Sequence, residues 1–124
     1  SIGATVGFAD YTAFVATDQY LKDNAAIAPS WTDAVNRAQK WTAAASSAEI
    51  VNAIRDFFPG VNQQALTSAA ERYQKLKIWK STPVIEPQAI DKFENILGHG
   101  HVLDDNKRVK FADLVRTEFA AKAK

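Results

Sequence analysis

The stretch that decides the fold is LTSAAERYQKLKIWKSTPVIEP, residues 66–87. The apolar residues of its first half recur at the three-and-four spacing of one helix face; they are Leu66, Ala69, Ala70, Tyr73 and Leu76. Pro83 pushes Thr82 out of helical geometry, and Pro87 stands where a new helix can begin. The stretch therefore predicts two helices joined by an extended link, with Trp79 packed between them.

Capping signals on both sides of this stretch predict further helices. Thr17 can cap a short helix at 18–22, and Pro29 and Ser30 can open a longer one. Ser46 followed by Glu49 fits a capping box, and Asn62 can cap the central helix. The inward faces are predicted from the periodicity; they are Trp31, Ala34, Val35, Ala38 and Trp41, then Ile50, Val51, Ile54, Phe57 and Phe58, then Ile90, Phe93, Ile96 and Leu97.

Two further features concern the end of the chain. Gly98 stands where a left-handed cap would end the helix that begins at Pro87. A last helix is predicted at 111–121, with Phe111, Leu114, Val115 and Phe119 turned inward. The sequence thus predicts six helices joined by short loops.

The one clear strand candidate is YTAFVA, Tyr11 to Ala16, a short run rich in aromatic and β-branched residues. A lone strand leaves its backbone groups unpaired, so it needs a neighbour. The chain offers few candidates for that neighbour, chiefly residues 4–6 and 108–110. We therefore expect a single piece, 1–124, with an extended crossover and strand at 1–16 and a helical part at 17–124.

Composition limits the classes of function. The chain has 124 residues, of which 47% are apolar, and its net charge is +1. A balanced surface does not steer a protein to nucleic acid or to an anionic membrane, so nucleic acid is not an expected partner. The chain contains no cysteine, which removes disulfides and thiolate chemistry together.

Candidate catalytic and metal-binding groups are weak. His99 and His101 form the one metal-like motif, but a zinc site takes three or four ligands, and only Asp104 and Asp105 lie nearby. We interpret it as an exposed turn. No G-x-S-x-G nucleophile motif or phosphate-binding glycine loop occurs. The sequence therefore predicts no catalytic residue, no metal site and no cofactor.

Asp10 and Tyr11 are the better candidates for a binding role. They stand where the extended crossover meets the predicted strand. Ligands of α/β proteins tend to bind at such strand ends. Contact with a ligand is one interpretation of these residues, and an ordinary structural role is the other.

Four pieces of the chain, taken in order, resemble one protein family. They are GFADYTAFVATDQYLKDN, SWTDAVNRAQKWTAAASSAEIVNAI, FFPGVNQQALTSAAERYQKLKIWKSTPVIEPQAIDKFENIL and KFADLVRTEFAAKA. Together they resemble the C-terminal part of periplasmic substrate-binding proteins of ABC importers, in the group that binds nitrate, taurine, alkanesulfonates and thiamine precursors. The resemblance covers nearly the whole chain in the right order.

The resemblance implies a fold and a function. The fold would be mainly α with one or two short strands, as a C-terminal fragment of a two-lobe type II periplasmic-binding α/β fold. The parent protein would be periplasmic or extracytoplasmic, would capture a small solute and would deliver it to a membrane permease, without catalysis. In that family only the segment with Phe8, Asp10, Tyr11 and Thr12 would reach the ligand cleft.

The resemblance also bears on self-association and on the alternative. Ser1 is not an initiator methionine, and we expect a fragment or a processed product. Helix faces that lack their sheet would leave apolar surface, which promotes association. We therefore expect a homodimer or another homo-oligomer, paired through Tyr11 to Ala16. The alternative is a free-standing helical interaction module without a small-molecule ligand.

Overall fold

A computed structural model describes Gly7 and residues 9–124, and these residues form helices and irregular segments. The α-helices in this part of the chain are α1 (Asp18–Asp23), α2 (Ile27–Ala44), α3 (Ser47–Ile54), α4 (Gln63–Lys75), α5 (Pro87–His99), α6 (Phe111–Leu114) and α7 (Thr117–Ala120). Two 3-10 helices, Arg55–Phe57 and Asp105–Lys107, lie directly after α3 and between α5 and α6. No helix among the described residues has both the length and the apolar character needed to cross a membrane.

The predicted strand at Tyr11–Ala16 is wrong. Residues 11–17 are irregular and exposed, and residues 108–110, one of the two predicted partners, form no strand either. The other predicted partner, residues 4–6, lies outside the described residues. A strand forms only when a neighbouring strand pairs with its backbone, so β-propensity alone does not make one.

The fold class is corrected accordingly. The part of the chain that the structure describes is all-helical and contains no sheet. This finding overturns the prediction of a mainly α fold with one or two short strands, and with it the assignment to a type II periplasmic-binding α/β fold. Two chains were predicted to pair through a strand at Tyr11 to Ala16, and the structure contains no such strand.

The helix starts predicted at Thr17, Ser46, Asn62 and Pro87 are confirmed, because each depends on local chemistry. The start predicted at Pro29 and Ser30 is wrong, since α2 begins at Ile27. The Thr17 hydroxyl accepts from the backbone N–H of Tyr20 at 3.1 Å. The Asn62 side chain accepts from Gln64 at 2.8 Å and so caps α4. Pro87 occupies the first turn of α5. Such caps satisfy backbone donors that have no partner inside the helix.

The end of α4 is fixed by a left-handed residue. Lys77 has φ 52°, its N–H donates to the Gln74 carbonyl at 3.0 Å, and the Ile78 N–H donates to Tyr73 at 3.1 Å. This pair of bonds is the Schellman motif. It turns the chain back toward the helix, and the ring of Trp79 meets the ring of Tyr73 edge-on at 5.5 Å.

The end of α5 uses the same motif, three residues later than predicted. His101 has φ 55°, its N–H donates to the Gly98 carbonyl at 3.0 Å, and the Val102 N–H donates to Leu97 at 2.9 Å. The prediction that Gly98 is the left-handed cap is therefore wrong, and His101 takes that position. Glycine was the natural candidate because it adopts positive φ without steric cost.

The predicted last helix at 111–121 is interrupted. It forms as α6 and α7, separated by Val115 and Arg116, and Val115 has φ −114° and ψ 124°. Neither short helix has a side-chain cap at its start. Four-residue helices have few internal hydrogen bonds to offset the cost of ordering them, so this region depends on contacts with other segments.

The chain divides into two compact units, which we describe separately. One comprises Ser1–Ser30 and Val84–Ala123, and the other comprises Trp31–Pro83 with Lys124. In the second unit α3 and α4 pack against each other, and the buried apolar residues of this pair are Ile50, Val51 and Ala70. Gln74 on α4 donates to the Ala45 carbonyl at 2.8 Å.

Burial confirms part of the predicted face of α3. Ile50 and Val51 are buried, as expected. Phe57, which ends the 3-10 helix, and Phe58, the next residue, are 80% and 44% exposed and do not continue that face. The turn ends the α-helical period, so the side chains after Ile54 no longer point in the predicted direction.

The predicted inward face of α2 is largely wrong. Trp31 and Trp41 are 51% and 45% exposed, and Ala34 and Ala38 are exposed as well. The side that is turned inward carries Asn36, which is buried, and Thr32, Val35 and Gln39, which are half-buried. The predicted apolar stripe of α2 is therefore not its buried side.

Candidate binding site

The predicted ligand-contacting segment precedes α1. Phe8 lies outside the described residues. Asp10, Tyr11 and Thr12 are irregular, and none belongs to a helix. Asp10 is half-buried and interacts with another group of the chain, whereas Thr12 is exposed. These residues lie in the same unit as α5.

Tyr11 lies against the middle of α5. Its ring meets the ring of Phe93 edge-on, with the centroids 5.6 Å apart and the planes at 90°. Such a pair contributes about 0.5–1.5 kcal/mol beyond simple burial. Tyr11 is nevertheless 79% exposed. One side of the ring is thus supported by α5, and most of its surface remains accessible to a ligand.

Lys92, the residue before Phe93 on α5, carries a positive charge near Gly7. Its ammonium nitrogen lies 3.0 Å from the position that a Cβ would occupy at Gly7, and Gly7 has φ +78°. A residue with a side chain at position 7 would be strained by that φ. Glycine therefore suits the backbone conformation at position 7, and Lys92 itself is half-buried.

The site therefore combines one predicted and two unpredicted contributors. Tyr11 was predicted, and the structure adds Phe93 and Lys92 from α5. Phe93 was assigned to a helix core because of its spacing, which was correct for the helix but gave no sign of an aromatic partner outside it. A lone lysine on a helix carries no signal of this kind.

The C-terminal half of α5 is hydrogen-bonded to the segment that follows it. Arg108 donates to the Asn95 side chain at 2.7 Å and to Asp105 at 3.0 Å. The backbone N–H of Val109 donates to Glu94 at 3.3 Å. These bonds fix residues 105–109 along α5.

The two histidines lie at the C-terminal end of α5. His99 Nδ1 lies 2.7 Å from the Asn95 carbonyl oxygen, and His101 ends α5 in the left-handed conformation described above. No group of three or more potential metal ligands occurs in the described part of the chain.

An exposed ion pair connects α1 with the segment between α6 and α7. The Arg116 guanidinium donates to the Asp18 carboxylate. This hydrogen bond, together with the nearby charge, lowers the pKa of Asp18 and raises the pKa of Arg116. The pair joins two segments that are distant in sequence, but it lies at the surface and offers a ligand no enclosed charge.

Tyr11 and Lys92 offer two different kinds of contact to a small molecule. An ammonium group attracts an anion such as a sulfonate or nitrate group, and an accessible aromatic ring can support a flat or apolar portion. Both groups are supported by one helix. Binding is the chemistry that these groups provide.

Comparison with known proteins gives one relevant similarity. The chain is 30% identical over 122 residues, 98% of its length, to a protein of Bacillus subtilis (strain 168) named "Putative binding protein YtlA". The chain spans 36% of the length of that relative. No family model matches the chain, and no solved structure matches it.

Proposed function

We propose that this chain belongs to the solute-binding component of an ABC importer. Such a component captures a small solute, here a sulfonate, nitrate or a thiamine precursor, and delivers it to a membrane permease. The observation that carries the proposal is the similarity of 98% of the chain to the Bacillus subtilis protein named "Putative binding protein YtlA". Because the chain spans 36% of that relative, solute capture is proposed for a protein of comparable length.

The candidate site supports the proposal through its chemistry. Lys92 supplies the positive charge that an anionic solute requires, and Tyr11 supplies an accessible ring supported by Phe93. Asp10 and Thr12 remain proposed contacts on the same segment. The proposal includes no catalysis and no cofactor, and it places the parent protein in the periplasm or outside the cytoplasm, where an importer meets its solute.

A chimera tests the proposal. The matching part of the Bacillus subtilis relative is replaced by this chain, and the relative and the chimera are each titrated with taurine, an alkanesulfonate, nitrate and a pyrimidine. We expect a saturable rise in melting temperature with one of these solutes, because a ligand that binds only the folded state stabilises it. Absence of a response to every solute in both proteins would contradict the proposal.

Single substitutions in the chimera test the site. Tyr11→Ala and Lys92→Gln should each weaken solute binding about tenfold, equivalent to about 1.4 kcal/mol. Val15→Ala, at a position that is 93% exposed in the same segment, and Lys22→Gln, which removes an exposed lysine from α1, are the matched controls. Solute binding that is unchanged by Tyr11→Ala and Lys92→Gln would leave the function intact and remove this site.

One observation favours the alternative of a helical interaction module. Several large apolar side chains are well exposed, among them Trp41, Phe57 and Val102. Exposed apolar surface of this kind often marks a protein contact. The chimera separates the two proposals, because an interaction module would give no response to a solute.

A further inference from the structure

The outward stripe of α2 has an internal symmetry. Its members are Trp31, Ala34, Ala38 and Trp41. Reversal of the helix about Asn36 exchanges the two tryptophans and exchanges the two alanines. At about 100° per residue, these four side chains fall within an arc of about 80°. One face of the helix thus has the same pattern when it is followed in either direction.

The stripe lies away from the buried side of α2. Asn36 is 4% exposed, and its amide donates to the Lys124 carbonyl at 3.0 Å. Asp33, one turn earlier, accepts from the Lys124 N–H at 2.9 Å. The centre of the buried side and the centre of the stripe are about a third of a turn apart. These two bonds place Lys124 against the side of α2 that carries Asp33 and Asn36.

Half of each tryptophan surface remains in contact with water. Trp41 is 45% exposed, and Trp31 is 51% exposed although it also interacts within the chain. The two alanines between them are exposed. On this face the two alanines at the centre project little from the helix, and the tryptophan rings at the two ends project further.

We propose that this stripe is the contact surface for a second copy of the same chain, with the two α2 helices antiparallel. A two-fold interface requires a surface that is complementary to itself. In the antiparallel arrangement Ala34 lies opposite Ala38 of the other copy, and Trp31 lies opposite Trp41. The proposal does not depend on the proposed solute binding.

The relief of the stripe matches the geometry of crossing helices. Alanines at the crossing point let two helices approach to about 8 Å between axes. Crossed helices diverge on both sides of that point, and a Trp31–Trp41 pair fills each widening gap. The same reversal places Arg37 opposite Val35 and Lys40 opposite Thr32, so that no like charges stand directly opposite each other.

The available area sets the expected strength. Two half-exposed tryptophans contribute about 100 Å² each, and with the alanines one copy buries about 400 Å² or less. A standard stable interface buries about 800 Å² per partner. The dimer is therefore weak and reversible, and its population depends on protein concentration.

Sedimentation analysis of the 124-residue chain over about a thousandfold range of concentration tests the proposal. We expect a monomer–dimer equilibrium. Ala34→Glu should raise the dissociation constant more than about tenfold, because each dimer then contains two buried charges. Ala48→Glu, at an exposed alanine of α3, should leave it unchanged. Circular dichroism confirms that both variants keep their helices.

Disulfide trapping tests the orientation. Since the natural chain has no cysteine, Ala34→Cys and Ala38→Cys each introduce a single thiol. An equimolar mixture of the two variants, oxidised gently, should give mainly the mixed disulfide that joins one variant to the other. Predominance of disulfides between two copies of the Ala34→Cys variant would overturn the antiparallel arrangement. A monomer at every concentration, or a dimer that resists Ala34→Glu, would overturn the surface itself and leave it to another occupant, such as a further segment of a longer protein.

Discussion

The helices α3 and α4 differ from α6 and α7 in how each begins. Ser46 and Glu49 form a complete capping box at α3, and the Asn62 side chain caps α4. In contrast, α6 and α7 begin after Lys110 and Arg116, and neither residue makes a side-chain capping bond. The first pair runs for 8 and 13 residues, and the second pair for four residues each.

The two regions also differ in burial. The α3–α4 pair contains three buried apolar residues, whereas α6 and α7 contain no buried residue. A short helix gains most of its stability from packing an apolar face. The comparison teaches that an apolar period such as that of 111–121 predicts a stable helix only when a cap starts it and a neighbour covers it.

The largest expected effect sharpens this comparison through burial. Ile50→Ala should lower the free energy of unfolding by about 2–4 kcal/mol, because it removes buried methyl groups and leaves a cavity. Leu114→Ala in α6, where the side chain is 54% exposed, should cost less than about 1 kcal/mol. Urea denaturation followed by circular dichroism measures both. Equal losses of unfolding free energy in the two variants would show that the two regions do not differ in how much burial stabilises them.

A smaller effect tests whether capping can narrow the difference. Lys110 already has the extended conformation of a cap residue, so Lys110→Ser should stabilise α6 by about 0.5–1 kcal/mol. Ser46→Ala should destabilise α3 by about 1 kcal/mol. Hydrogen exchange of the amides in each helix detects both changes. Slower exchange in α6 without any change in α3 is the expected result for Lys110→Ser.

The smallest expected effect is a loss of stability at acidic pH. The Ser46 hydroxyl and then the Ser46 N–H hold the pKa of Glu49 below its ordinary value of 4.5, and Arg116 holds the pKa of Asp18 below 3.8. The folded state therefore binds these protons less tightly than the unfolded state. The two carboxylates contribute fully to stability at pH values above their ordinary pKa values. These contributions are lost as pH falls through the lowered values.

Both regions should respond to acid, but through different groups. Glu49→Gln should reduce the acid sensitivity of α3, and Asp18→Asn should reduce that of the segment around Arg116. Hydrogen exchange of variants and wild type, compared at neutral and acidic pH, measures this. If the Glu49→Gln variant retains the full acid response in α3, the capping box does not carry it.

Local chemistry was predictable from the sequence, and long-range contacts were not. The caps at Thr17, Ser46 and Asn62 form as predicted, because each involves atoms within three residues. The strand at Tyr11–Ala16 fails, since a strand depends on a distant partner. The last helix fails at Val115, where the periodicity gave no sign of a break.

Side-chain direction was the harder problem. Periodicity correctly identified α2 as a helix, but its buried side is fixed by Asp33 and Asn36, which bond to Lys124 far away in the sequence. The candidate site shows the same limit. Tyr11 was predicted from its position, whereas its partner Phe93 could be recognised only once α5 had been placed beside it.

The placement of the tryptophans makes them an intrinsic fluorescence probe of one unit. All three, Trp31, Trp41 and Trp79, fall in the unit formed by Trp31–Pro83 with Lys124. Emission excited selectively from tryptophan therefore reports on that unit and is silent about the other. Aqueous quenchers should reach Trp31 and Trp41 more readily than Trp79, which is half-buried and lies against Tyr73. The unfolding of one half can thus be followed without attaching any dye.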